Sequence, residues 1–327
     1  MNYFSSLDPK DYVLIIGSSN MDLNIYVKRL PKLGETVTGG TFKQFLGGKG
    51  ANQAVASVRS GSKTYFIAKI GIDTFGDQMV SQLKKEGVNI DNIIRDSQQA
   101  SGVAFIMIDE NGENIISVAP GANVNLNVED IQKNADLIKR ANSLVVQMEI
   151  PMNTIQEIYK IASEGNLIKI LNPAPLKPIP TNILKNIDII IPNEGELYQL
   201  HSLLGFEEPS SNGLEKIKQV SEDITRTGVR IVITTLGVKG AIIYQSTEDL
   251  LTLLPAYKVQ AVDTVGAGDC FNGVLASKLN QGKNLIEAVK YAISAASIAV
   301  TRKGAQESMP FINEIEERYK KYNKLFN

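Results

Sequence analysis

Short apolar runs rich in β-branched residues alternate along the chain with longer stretches whose apolar positions recur at helical spacing. Val13–Ile16, Tyr65–Ile70, Leu144–Met148, Leu167–Leu171, Ile187–Ile191 and Ile231–Thr235 read as buried strands. Between several of them lie amphipathic patterns over Ala51–Ser60, Gly76–Glu86 and Asn153–Glu164, each followed at once by a glycine: Gly61, Gly87 and Gly165. A glycine just beyond a helix tolerates the positive φ that ends many helices. Strand and helix in repetition predict an α/β fold of Rossmann-like type, a mainly parallel sheet flanked by helices on both faces.

Two regions break this rhythm. Thr36–Phe45 follows Pro31 and Gly34 and has β character with no helix of its own. Val103–Asp109 and Asn114–Ala119 flank Glu110-Asn111-Gly112-Glu113, a good hairpin turn. These pieces predict a small inserted β-sheet lid built from about residues 20–46 and 100–119. No linker, repeat or low-complexity tract divides the chain, so residues 1–327 are expected to form one domain.

In open parallel sheets, ligands bind beyond the carboxyl ends of the strands. Here Gly17-Ser18-Ser19-Asn20-Met21-Asp22 follows the first run, and Glu149 follows Leu144–Met148. Asn172-Pro173-Ala174-Pro175, Pro192-Asn193-Glu194-Gly195-Glu196 and Thr235-Leu236-Gly237-Val238-Lys239-Gly240 follow the next three. Amides, carboxylates and glycines therefore gather on one edge, which predicts a site there.

The most informative segment is Asp263-Thr264-Val265-Gly266-Ala267-Gly268-Asp269-Cys270-Phe271-Asn272-Gly273. Its small residues allow a tight turn, and the Ala/Leu/Val run after it reads as a helix. Backbone N–H groups at that helix start can hold an anion, helped by the helix dipole. Asp269 falls in the first turn, close to such an anion; a plain cap would need less glycine. A second glycine-rich segment, Gly47-Gly48-Lys49-Gly50-Ala51-Asn52, also opens a helix. Neither is a common nucleotide motif. Gly50 stands where a P-loop needs Ser or Thr after the lysine, and Phe271 where a dinucleotide fingerprint needs its third glycine.

Composition narrows the picture further. A chain of 327 residues, 43% apolar and 21% charged, can bury a core without a disulfide or metal staple. Cys270 is the single cysteine, so no intrachain disulfide forms and a reducing compartment is the natural reading. Acidic and basic residues nearly balance, 35 against 34, with no basic block. Nucleic acid is thus not an expected partner, and small polar or neutral molecules are. The first apolar run, preceded by Asp8 and Asp11, is too short for a secretory signal or a membrane span, so a cytoplasmic protein is expected. His201 reads as a surface or capping residue, Cys270 as packing in a first helical turn, and Glu314–Lys321 as a solvated helix face.

Taken together, Gly47–Asn52 and Asp263–Asp269 resemble the two signatures of the PfkB carbohydrate kinase family. Gly34-Glu35-Thr36-Val37, Gln147-Met148-Glu149, Leu171–Pro175, Pro192–Glu194 and Val300–Gln306 extend the likeness, in order, from about Tyr12 to Pro310. The resemblance implies ATP-dependent phosphorylation of a sugar, and its wider set of segments points to D-ribose and to O5. Another sugar such as deoxyribose is the alternative; a catalytically silent sugar-binding regulator is the alternative of a different class.

It also implies roles. Asn20, Met21, Asp22, Gly48, Lys49, Gly50, Ala51, Asn52 and Glu149 would contact the sugar. Asn193, Thr235, Leu236, Gly237, Val238, Lys239, Gly240 and Gly268 would contact ATP, with Ile293 packed on the adenine where some members carry a histidine. Asp269 would be the general base, meeting both substrates. Asp263, Val265, Ala299, Arg302, Gly304 and Ser308 would hold a potassium ion, and Glu196 would serve magnesium. A homodimer through the lid is implied as well.

Overall fold

The computed structural model describes residues 12–326. Asp8 and Asp11 lie outside the described residues. The larger of two sheets is built from β1 (Val13–Ile16), β4 (Thr64–Gly71), β5 (Ile93–Asp96), β8 (Ser143–Val146), β9 (Ile168–Leu171), β10 (Ile189–Ile190), β11 (Ile231–Thr235), β12 (Ala241–Gln245) and β13 (Leu250–Leu254). Its nine strands run in the order β13-β12-β11-β10-β9-β8-β1-β4-β5. Neighbours pair in parallel from β11 through to β5, while β12 and β13 turn back antiparallel at the far edge.

Alternate residues of each central strand enter opposite cores. Val13 and Ile15 join the apolar layer under the helices Lys49–Arg59, Ala267–Asn280, Leu285–Ala299 and Ile312–Phe326. Leu14 and Ile16 join the layer under Met152–Ala162, Glu194–Leu203 and Gly213–Thr225. Burial on both faces is why the strands read as continuous apolar runs rather than alternating ones.

The smaller sheet contains β2 (Asn20–Tyr26), β3 (Thr41–Gly47), β6 (Gly102–Ile108) and β7 (Asn114–Ala119), in the order β3-β2-β6-β7. β2 pairs antiparallel with β3 and parallel with β6, and Gly112, at φ 85°, turns the β6–β7 hairpin. Among the described residues, no helix is long and apolar enough to cross a membrane.

Several details differ from expectation. β8 and β10 are shorter than the apolar runs that announce them, and the β12–β13 hairpin carries no clear signal of its own. Gly61 and Gly87 adopt φ 98° and 89° and end their helices as expected. Gly165 does not use that freedom. A side chain there would lie 2.7 Å from Lys139 O and 2.8 Å from Leu167 Cδ2, so packing excludes it. His201 is buried, not superficial: its Nε2 lies 3.0 Å from Asp223 Oδ2 and its ring stacks on Phe206. The helix bearing Glu314–Lys321 is likewise only half solvated, because Ile315 and Tyr322 lie fully in the core and Tyr319 stacks on Tyr291.

The helices Lys49–Arg59 and Ala267–Asn280 touch at Gly273, where a Cβ would lie 2.3 Å from Gln53 O and 2.7 Å from Ala56 Cβ. Backbone cannot give way cheaply, so a methyl group must push the helices apart. Gly273→Ala is expected to lower unfolding free energy by about 1–3 kcal/mol, read from urea denaturation. A variant as stable as its parent would show that this contact is not tight.

Candidate active site

The register of the larger sheet brings its polar strand ends level: Ile16 pairs with Val146, Val146 with Leu171, Leu171 with Ile190, and Ile190 with Val232. Gly17-Ser18-Ser19, beyond β1, then crosses directly against Gly48–Gly50. A Cβ on Gly50 would lie 2.7 Å from Gly17 C and Ser18 N, and one on Gly48, at φ 87°, 2.6 Å from Ser19 Cα. Only glycine lets these two backbones meet. Ser18 Oγ donates to the Glu149 carboxylate, and Lys49 N donates to Glu149 Oε2 at 3.1 Å.

Asp269 sits in the first turn of Ala267–Asn280, behind Gly266 at φ 73°. It is only 7% exposed, and both carboxylate oxygens are held: Asn52 Nδ2 donates to Oδ2 and Gln53 Nε2 to Oδ1, each at 2.9 Å. Gln53 is oriented in turn, since its Oε1 accepts from Gln147 Nε2 at 2.7 Å and its Nε2 also reaches Asn172 Oδ1 at 3.2 Å. Asn172 Nδ2 donates to Ile191 O at 3.0 Å. A line of buried amides thus joins the ends of β8 and β9 to Asp269.

Charge accumulates around this line. The Asp269 carboxylate, assisted by Glu149, Glu196 and Asp22, raises the pKa of the Lys49 ammonium against the opposing effect of burial. Asp22, on β2, is pushed up to about 7 by burial first, then by Glu149, Glu307 and Asp269, with Lys49 opposing. Burial also raises Glu196, although Glu196 Oε2 accepts from Asn193 N at 2.9 Å while Asn193 Oδ1 accepts from Glu196 N at 2.8 Å. That reciprocal cap starts the helix Glu194–Leu203.

A cavity of about 230 Å³ opens between these groups, lined by Lys49, Asn172, Ala174, Ile191, Asn193, Glu196, Thr235, Thr264, Gly266, Gly268, Asp269 and Asn272. A Cβ on Gly268 would meet nothing within 4 Å, so the space before the helix N terminus is open to a ligand. Lys49 and Asp269 from the expected sugar side and Asn193, Thr235 and Gly268 from the expected nucleotide side line this cavity, whereas Asn20, Asp22, Gly48, Gly50, Asn52 and Glu149 do not. Met21 and Ala51 are buried and lie outside the lining, Met21 on a strand paired on both sides and Ala51 with its N–H donating to Ser18 O. Thr235 lies on the cavity wall, while Leu236, Gly237, Val238, Lys239 and Gly240 are not part of the lining and Val238 is 92% exposed. Ile293 is 5% exposed within the apolar core and is not in the lining either.

Asp263 links the glycine turn to the Arg302–Ser308 segment. Its Oδ1 accepts from Val265 N and its Oδ2 from Gly304 N, both at 3.0 Å, while Val262 N and Asp263 N donate to Val300 O. Arg302 N donates to Ala299 O, and the side chain of Arg302 pairs with Glu314. Ser308 is buried and donates through Oγ to Ala305 O at 2.8 Å. The residues expected around a monovalent cation thus lie on the glycine turn, at the C-terminal end of the helix Leu285–Ala299 and on the segment after it. Among the described residues, no group of three or more His, Cys, Asp or Glu side chains could hold a metal ion. Magnesium asks for less, one or two carboxylates beside substrate phosphates, and Glu196 on the cavity wall fits that need. Cys270 is fully buried, and burial pushes its thiol up, so it packs rather than reacts.

Sequence reasoning missed Gln53 and Asn272. Gln53 follows Asn52 on a helix face that is otherwise small and apolar, and Asn272 follows Asp269 by one turn. Neither carried a signal, because only the structure shows that their helix faces are buried. Glu307, whose carboxylate accepts from Leu46 N on β3, was missed for want of any pattern.

The chain matches the pfkB family of carbohydrate kinases over residues 10–312. It is 36% identical to the ribokinase of Staphylococcus aureus, over 93% of this chain and 98% of that protein. It is 38% identical, over 91% of its length, to a bifunctional ribokinase/ribose-5-phosphate isomerase A of Fructilactobacillus sanfranciscensis, of which it spans 54%. The solved ribokinase of Arabidopsis thaliana complexed with ribose and ATP superposes with a TM-score of 0.87 at 30% identity, covering 95% of this chain and 99% of that one.

The raised Asp22 has a consequence for stability. Between the ordinary value of 3.8 and about 7, the folded protein keeps a proton there that the unfolded chain has released. Folding stability therefore falls as pH climbs through that window and levels off above it. Asp22→Asn removes the penalty, so the ligand-free variant should melt higher than its parent at pH 8 and equally at pH 4. Equal melting temperatures at pH 8 would show that the Asp22 carboxyl is not pushed up.

Proposed function

This chain belongs to the pfkB family of carbohydrate kinases, and on that premise we propose that it transfers the terminal phosphoryl group of ATP to O5 of D-ribose. The observation that carries this reading is the Asp269 carboxylate, buried between the Asn52 and Gln53 amides at the mouth of an open helix N terminus. Both its oxygens are held, so it is fixed to accept the O5 proton as the new O5–phosphorus bond forms and the bond to the ADP oxygen breaks. The N–H groups at Gly266–Gly268 and the dipole of the helix behind them stabilise the charge on the transferring group.

The sugar binds against Asn20, Asp22, Asn52 and Glu149, beside the backbone of Met21, Gly48, Lys49, Gly50 and Ala51. Asn52 Oδ1 is buried and has no hydrogen-bond partner among the described residues, which suits it to receive a sugar hydroxyl. Glu149 Oε2 is engaged by Lys49 N, so Oε1 is its atom for the sugar. ATP lies along Asn193, Thr235–Gly240 and Gly268, with Lys49 close to its phosphates. Glu196, held by Asn193, would serve magnesium, which when bound neutralises phosphate charge. Asp263 and backbone oxygens of Val265, Ala299, Arg302, Gly304 and Ser308 would hold potassium, which when bound would steady the glycine turn.

The described chain acts as one kinase domain whose smaller sheet is the lid over the sugar. Exposed Phe42, Phe105 and Ile115, on one face of that sheet, support pairing of two copies through it, as a homodimer. The buried free thiol of Cys270 suits the cytoplasm.

Asp269→Asn keeps the shape of the side chain and removes the base. It should lower kcat by about 10²–10⁴-fold while ribose affinity changes far less, measured by coupled assay and calorimetry. Turnover close to that of the parent would exclude Asp269 as the base.

A further inference from the structure

Outside the cavity, the Asn123 side chain is buried and makes four hydrogen bonds. It is 2% exposed and closes the short turn that follows β7. Its Oδ1 accepts from Ser19 N at 2.9 Å. Its Nδ2 donates to Asn20 Oδ1 at 2.8 Å, Pro120 O at 2.9 Å and Ser19 O at 3.2 Å. A carboxamide has only two N–H bonds, so one is shared, and both donors of Asn123 and one lone pair of its oxygen are spent.

The partners of Asn123 are the points where the chain passes between the sheets. Ser19 and Asn20 lead into β2, and Pro120 leads out of β7. Beside them, Ala122 N donates to Ala100 O at 2.8 Å, just before β6. Ser101 is anchored to the larger body in turn, its N and Oγ donating to Asp73 at 2.7 and 2.9 Å. Asn20 pairs with Gly102 across β2 and β6, and a Cβ on Gly102 would lie 2.2 Å from Asn20 Oδ1 and 2.4 Å from Asn123 Nδ2. Glycine there leaves the room in which the two carboxamides meet.

That meeting decides which end of Asn20 faces a ligand. A free asparagine offers oxygen and NH₂ about equally, and the surrounding network sets the choice. Here Asn20 Oδ1 is turned to Asn123, so the NH₂ is the end presented. Its neighbours Asp22 and Glu149 are carboxylates, which accept when ionised. A sugar hydroxyl can then donate to a carboxylate and accept from Asn20, using both of its capacities.

We propose that Asn123 is a positioning residue for the sugar: it fixes Asn20 as a hydrogen-bond donor and fastens that donor to the hinge of the smaller sheet. The inference rests on Asn20 being a sugar contact, as proposed above. Asn123 touches no substrate itself. Its influence is therefore confined to sugar binding and absent from the nucleotide side.

The test is a double-mutant cycle on ribose affinity, by calorimetry, using the full chain. Asn123→Asp preserves shape and removes the donors, and Asn123→Ser, too short to reach Asn20, serves if the first variant does not fold. Each Asn123 variant should weaken ribose binding by about tenfold, with ADP binding unchanged and kcat at saturating ribose close to that of the parent. Asn20→Ala should weaken ribose binding similarly, and the double variant should be no weaker than either single one. Independent, multiplicative losses would overturn the proposal, because a purely structural Asn123 lowers stability without coupling to Asn20. So would an unchanged ribose affinity in a folded Asn123 variant when Asn20→Ala does weaken it, an outcome that leaves the sugar site standing. An unchanged affinity in Asn20→Ala itself would overturn both the inference and the sugar contact it rests on.

Discussion

A carboxylate buried in protein is expensive unless its oxygens are hydrogen-bonded, and Asp269 meets that condition through Asn52 and Gln53. Much of the surrounding structure serves this arrangement. Gly273 allows the two helices that carry these residues to touch, and Gly48 and Gly50 allow the first of them to begin against the end of β1. Gln147 and Asn172 hold Gln53 in the orientation that donates to Asp269. Lys49 supplies the compensating charge. The Asp269 carboxylate is thus fixed in place before any substrate arrives, which is what its proposed role as a base requires.

The same constraint shapes the sugar side. Asp22, Glu149 and Asp269 crowd around a single lysine, and Asp22 responds by holding its proton to about 7. Such a site is short of donors. A ligand rich in hydroxyl groups supplies them, whereas a simple anion would add to the repulsion. The smaller sheet completes the enclosure by bringing Asn20 and Asp22 on β2 over the larger one, and the Glu307 carboxylate ties its strand β3 to the segment beside Asp263. The proposed sugar site, the glycine turn and the expected cation loop are therefore adjacent.

The larger sheet and its polar edge were legible because strands buried on both faces leave continuous apolar runs, and because the residues just past them cannot be apolar if they meet a ligand. Asp263–Asp269 was legible because glycine so dense at a helix start has few other uses. Gln53 was not, since one polar residue in a helix ordinarily marks a solvent face; here the face is buried against Asp269. Asn123 drew no attention in the sequence, because its side chain reaches across more than a hundred positions to Ser19, a pairing no local pattern encodes. His201 was misplaced on the surface for a similar reason, its partner Asp223 lying one helix away. Ile293, expected beside the adenine, packs in the apolar core.

The central claim is that this donor-poor pocket and its fixed base act on a ribose hydroxyl. Steady-state ATP consumption by the purified protein, across ribose, deoxyribose, fructose and adenosine, tests it most directly, with phosphorus NMR locating the new ester. The account predicts the highest kcat/KM for ribose, with the phosphate on O5. A clear preference for fructose or adenosine, or a product esterified at another oxygen, would contradict it.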